Sequence, residues 1–160
     1  MSDLVALLQD FYRDKLTVYL RHQAGARLVV QYDANNTYQY IVNREDTQLS
    51  WVAAAIAELG GAPPDVPDPG RAVNGKGDEA ARGILEEDMR DAQAFVDRWR
   101  PRISGMTNAR HAKMLSVILG ETLEQKRFFE QALAGREDLL GRRADGAGTP
   151  GVVISTRWVE

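Results

Sequence analysis

The chain has no cysteine. A disulfide framework, a thiolate metal site and a cysteine nucleophile are therefore excluded together. Imidazole chemistry is restricted to His22 and His111, the two histidines in the sequence. No apolar run approaches the roughly 18 residues that a membrane span needs. The start Met1-Ser2-Asp3 lacks the basic, apolar and small-residue succession of a signal peptide, so a cytoplasmic address is expected. Charge of one sign is lacking as well: the net charge is −3 with both signs interspersed. That gives no concentrated positive field for nucleic acid or an anionic membrane surface, and neither is expected as a partner. Proline is scarce outside one stretch, and no segment reads as a convincing strand.

What remains is helical periodicity in a chain of 160 residues, enough for one domain with a sizeable core. Leu4, Leu8, Phe11, Val18 and Val29 recur at steps of three, four or their sums, which predicts a first helix over about 3–31. A second starts near Asn36 or Thr37 as caps and carries Tyr38, Ile41, Val42, Leu49, Val52, Ile56 and Leu59 before Gly60-Gly61 ends it. A third, capped near Asp78, carries Ile84, Leu85, Met89, Ala92, Phe95, Val96 and Trp99 and breaks around Pro101 and Gly105. The fourth follows Thr107-Asn108 and runs through Met114, Leu115, Ile118, Phe128, Phe129 and Leu133 to Gly135.

The connections decide topology. Short joins between helices one and two, and three and four, imply antiparallel hairpins. Between the hairpins lies a Pro/Gly-rich stretch over about 60–77, including Ala62-Pro63-Pro64-Asp65-Val66-Pro67-Asp68-Pro69-Gly70. It is long enough to cross a bundle from end to end. The expected fold is thus all-α, a four-helix bundle over 1–141 with one long crossover between helices 2 and 3. An irregular tail follows over 142–160, a linker ending in the apolar, β-branched segment 152–160. That segment has the composition of an arm packing on its own or a neighbouring bundle, or of a peptide docking on a protein partner.

Carboxylates interrupt the apolar stripes. Glu45 falls between Ile41 and Leu49 on the inner face of helix two, and Glu121 between Ile118 and Gln125 in helix four, with Glu124 one turn on. In helix one Asp14 lies between Phe11 and Val18, with Lys15 its rival for the inward position. In helix three Asp88 shares a face with Ile84, Phe95 and Trp99. An isolated ionised acid in an apolar core is costly, so such groups protonate, pair with bases or share cations. Pairing would draw on Arg44, Lys15, Arg13 or Lys126, with Gln48 or Tyr19 as hydrogen-bonding neighbours. Cation sharing is the four-helix carboxylate site, where two helices give a Glu each and two give Glu-x-x-His.

Over about 3–135 the chain resembles the ferritin-like superfamily, rubrerythrin-like proteins included. The residues that carry the resemblance are Glu45-Asp46-Thr47-Gln48, leading to Leu59-Gly60-Gly61, and Glu121-Thr122-Leu123-Glu124, leading to Leu133-Ala134-Gly135. The resemblance implies a bundle with a two-metal carboxylate site of iron or manganese, oxygen, peroxide or iron as substrate, and a homodimer. It implies metal ligands at Glu45, Glu121, Glu124, Asp14 and Asp88, with Glu87 the alternative to Asp88 in helix three. Where the family places histidine, however, this chain has Gln48 and Glu124, and two positions carry the shorter aspartate. His22 lies about 12 Å along its helix from Asp14, and His111 about 15 Å from Glu121, so both histidines are expected as hydrogen-bonding residues at the surface or core edge. The expectation is a bundle that has lost a complete di-iron site and serves as a non-catalytic interaction or scaffold module, with no catalytic residue. The alternative is a histidine-poor Fe/Mn carboxylate protein.

Overall fold

The computed structural model describes residues 2–136 and 138–141. They form α1 (Ser2–Ala26), α2 (Tyr32–Glu58), α3 (Gly77–Ser104) and α4 (Ala109–Leu133), then a short 3₁₀ turn, Leu139–Gly141. No strand occurs among the described residues. The expected tail over 142–160, including 152–160, lies outside them.

Local chemistry sets the helix ends. Asn108 caps α4, its side-chain oxygen accepting from the His111 backbone N–H at 3.0 Å. Both hairpins close on a glycine in the left-handed region, Gly60 at φ 85° and Gly135 at φ 83°. There an L-residue with a Cβ would be strained. The first turn differs from expectation. α1 stops at Ala26, and α2 starts earlier than Asn36, capped by Gln31, whose Oε1 accepts from Ala34 N–H at 2.7 Å. Val29 keeps the apolar period alive through the turn because it is itself buried, 1% exposed. Asn35 fastens this turn by donating to the Ala26 and Val29 carbonyls at 2.9 and 3.0 Å. Pro101 sits in the last turn of α3, which runs on to Ser104.

α1 packs chiefly on α2 and α3 on α4. Between the hairpins, Asp10 meets Arg102, Asp14 meets Arg98, and Arg21 meets Asp91, so α1 and α3 are antiparallel. Tyr40 against Phe128 and Glu58 against Arg110 make α2 and α4 antiparallel too. The crossover begins beside the start of α1, where Gln9 Nε2 donates to the Ala62 carbonyl at 3.0 Å. It ends beside the far end of α1, where Arg71 donates to the Arg21 carbonyl at 2.8 Å. It therefore traverses the bundle, as its length predicts.

The core has two apolar halves. One gathers Leu8, Phe11, Val52, Ile56, Phe95, Trp99, Leu115 and Ile118, the other Tyr38, Ile41, Ile84, Leu85, Phe128 and Phe129. Between them lies a layer of buried polar side chains: Lys15, His22, Glu45, Gln48, Asp88, Thr122 and Gln125.

Candidate functional site: a buried ionic layer

Glu45 is the centre of that layer and is wholly inaccessible to solvent. Its stripe on α2 points at α1, where Lys15 and His22 lie two turns apart on one face. Lys15 Nζ stands 2.9 Å from Glu45 Oε2, an ion pair between two fully buried side chains. His22 Nδ1 lies 2.6 Å from Glu45 Oε1. The Lys15 ammonium also sits 5.3 Å from the centroid of the Phe95 ring, whose face is a further soft acceptor.

The second buried acid, Asp88 of α3, is met from two sides. Tyr38 of α2 donates its hydroxyl to Asp88 Oδ2 at 2.5 Å. Arg71, from the end of the crossover, places its guanidinium nitrogens 2.9 Å from Oδ1 and 3.2 Å from Oδ2. That fork-on-fork geometry suits guanidinium and carboxylate. Arg71 is held in turn by the Arg21 and Ile84 carbonyls. Gly25 makes the room: a Cβ there would stand 2.7 Å from Arg71 Nη1. His22 Nε2 is 3.8 Å from Asp88 Oδ1, so the imidazole lies between the two carboxylates.

This placement shifts the titrations. Burial alone would push the His22 imidazole down, but the charges of Glu45 and Asp88 and the hydrogen bond to Glu45 together outweigh it and raise its pKa, against an opposing push from Lys15. Burial would raise Glu45; His22 and Lys15 outweigh that and lower it. Burial, and then the Asp88 charge and hydrogen bond, hold Tyr38 well above the ordinary phenol value, so it stays a neutral donor. The layer thus sets two carboxylates against the cations of Lys15 and Arg71, with the His22 imidazole between the acids.

Glu121, the inward acid of α4, is half-buried and pairs with Arg44, while Gln48 Nε2 donates to its other oxygen at 3.0 Å. The two remaining carboxylates lie off this layer. Asp14 accepts from Arg98 at 2.8 Å and from the Trp99 indole at 2.6 Å on the α1–α3 surface. Glu124 is exposed and pairs with Arg127 at 3.1 Å. The structure therefore brings Glu45 and Asp88 to one layer, puts Glu121 beside it on Arg44, and leaves Asp14 and Glu124 outside. His22, expected at the surface or core edge, is instead fully inside, because its partner lies on the neighbouring helix and not along its own. Lys15, and not Asp14, takes the inward position of α1. The stripe Leu8, Phe11, Lys15, Val18, His22 carried that signal. Arg71 and Tyr38 carry no site signal in the sequence: a lone arginine in a loop offers no periodic clue, and Tyr38 reads as one more residue of the apolar stripe.

A di-metal carboxylate site needs several anionic or imidazole donors free to converge on the ions. Among the described residues no three His, Cys, Asp or Glu side chains are so placed. The donors that are inside already carry bases within ion-pair distance. The residues present do not fit that metal pair.

A conserved hypothetical protein of Mycobacterium tuberculosis, Rv2844, superposes with a TM-score of 0.68 at 14% identity, over 80% of this chain and 95% of that one. A mutant of Mycobacterium smegmatis Dps1 superposes with a TM-score of 0.64 at 18% identity, over 82% and 95%. The fold is ferritin-like. No family model and no curated protein matches the sequence, so the likeness is one of backbone. In this ferritin-like bundle the waist between the hairpins is filled by side-chain cations.

Proposed function

We propose that this protein is a ferritin-like bundle whose interior has given up two-metal chemistry, and that it acts as a non-catalytic interaction or scaffold module. One observation carries the reading: the inward carboxylates, Glu45, Asp88 and Glu121, are each neutralised by a base of the same chain. A metal entering this layer would have to displace a lysine, a histidine and an arginine that already satisfy the acids. Surface composition supports an interaction role. Val30 and Tyr32, beside Leu28 at the α1–α2 turn, are 80% and 76% exposed, and clustered exposed apolar groups suit a partner surface. A homodimer and a protein partner for the segment 152–160 belong to the same reading.

Metal analysis of protein purified from iron- and manganese-supplemented medium tests it. The expected content is no stoichiometric iron or manganese. About two ions per chain, the complement of the four-helix carboxylate site, would overturn it in favour of a histidine-poor Fe/Mn protein handling oxygen, peroxide or iron.

A further inference from the structure

A groove of about 350 Å³ opens on the outer face between α2 and α4, lined by Tyr40, Arg44, Val117, Glu121, Gln125 and Phe128, with Gly120 and Glu124 at its edge. Its volume lies within the range of small-molecule sites. Tyr40 and Phe128 form an aromatic wall, edge to face with centroids 6.3 Å apart. The floor is an already paired acid and base, Glu121 with Arg44, and the rim acid Glu124 is held by Arg127. An ionic ligand therefore finds no free counter-charge. Gln125 sets the specificity. It is 3% exposed, it lines the groove, and its carboxamide makes no hydrogen bond to any described residue, although Glu121 and Phe128 on the same stripe are engaged. Its carboxamide atoms are not sealed from solvent, so a ligand edge that pairs with them would replace groove water by a hydrogen bond. At Gly120 a Cβ would meet nothing within 4 Å, so the helix leaves space there that any other residue would fill.

We propose that this groove is a binding site for a small, flat, uncharged molecule that carries an amide or lactam edge. The ring stacks on one of the two aromatic faces and meets the other edge-on, and the donor–acceptor edge pairs with the Gln125 carboxamide. The groove borders the buried polar layer through Gln125 and Glu121, and probe binding there is read apart from metal content.

Titration of the full chain with benzamide and nicotinamide, followed by ¹⁵N–¹H NMR, tests it, with benzoate as the charged control. Expected are saturable shifts centred on Tyr40, Gly120 and Phe128, with benzoate at least about tenfold weaker. Gln125→Leu should weaken benzamide about tenfold, the loss of one hydrogen-bonded edge. Gly120→Leu should abolish binding; it removes a mid-helix glycine, so helix propensity favours its folding, and circular dichroism confirms that it folds. Absence of saturable binding by the neutral amides overturns the proposal. So does benzoate binding as well as benzamide, or unaltered affinity in both variants. If Gly120→Leu changes the sedimentation coefficient and not probe binding, the groove is an interface between copies and the proposal fails.

Discussion

Lys15 shows how much one residue decides. Its neighbour Asp14 differs from it by one step, about 100° of helix rotation, and that step sends the acid to the surface and the ammonium into the core. Lys15→Met would leave Glu45 with His22 alone, and loss of one partner of a buried ion pair is strongly destabilising, roughly 3–5 kcal/mol. Urea denaturation at pH 6 should show a loss of that order, and adding Glu45→Gln should recover at least half of it, since the acid no longer needs a counter-charge. The same layer governs pH dependence. His22 is raised from 6.5, so its contribution is complete below pH 6.5 and is lost as pH rises through the raised value. Glu45 is lowered from 4.5, so its contribution is complete above pH 4.5 and is lost as pH falls through the lowered value. Lys15, Asp88, Tyr38 and Arg71 are the other charged or titratable groups facing His22. Stability should therefore peak between about pH 4.5 and 6.5 and decline as pH rises through the raised His22 value, and His22→Gln should flatten the alkaline limb. An unchanged limb in that variant would refute the assignment.

Among the helices, α4 carries a buried polar group with no compensation. His111, in the first turn after the Asn108 cap, is 5% exposed, and neither ring nitrogen has a hydrogen-bond partner among the described residues. An unsatisfied buried donor or acceptor costs about 1–3 kcal/mol. His111→Leu keeps the apolar contacts of that turn and removes the polar atoms, so it should raise the melting temperature; a fall would show that the imidazole has a partner in solution. The helices themselves were legible in the sequence because apolar residues at steps of three and four mark them, and glycines Gly60 and Gly135 end them. The α1–α2 turn was not, because buried Val29 and the capping Gln31 hide a break inside a continuing pattern. For the site, Glu45, Asp88 and Glu121 were legible as acids on apolar stripes. Their partners were only partly so: Lys15 lay on such a stripe, whereas pairing His22 with Glu45 needs the packing of two helices, and Arg71 lies in a segment without periodicity.

For the whole molecule the ionic layer is the seam. Lys15, His22, Tyr38 and Glu45 belong to the first hairpin, Asp88 to the second, and Arg71 to the crossover between them. Each hairpin closes through contacts near in sequence, while the Asp88 cluster exists only once the two have docked. Asp88→Asn should therefore speed unfolding more than it slows folding, read as a shift of the unfolding limb of a chevron plot; an equal or larger change in the folding limb would mean that the cluster forms before the barrier. The crossover has another consequence. Because α1 and α2 form one antiparallel hairpin and α2 and α4 also run antiparallel, α1 and α4 point in the same direction. The start of α1 and the end of α4 then sit at opposite poles, separated by the length of a 25-residue helix, about 37 Å. A tether pulling on those two points would slide the hairpins past one another along the long axis. Mechanical load would reach Arg44–Glu121, Asp14–Arg98 and the Asp88 cluster together, in shear, instead of peeling the helices apart one turn at a time.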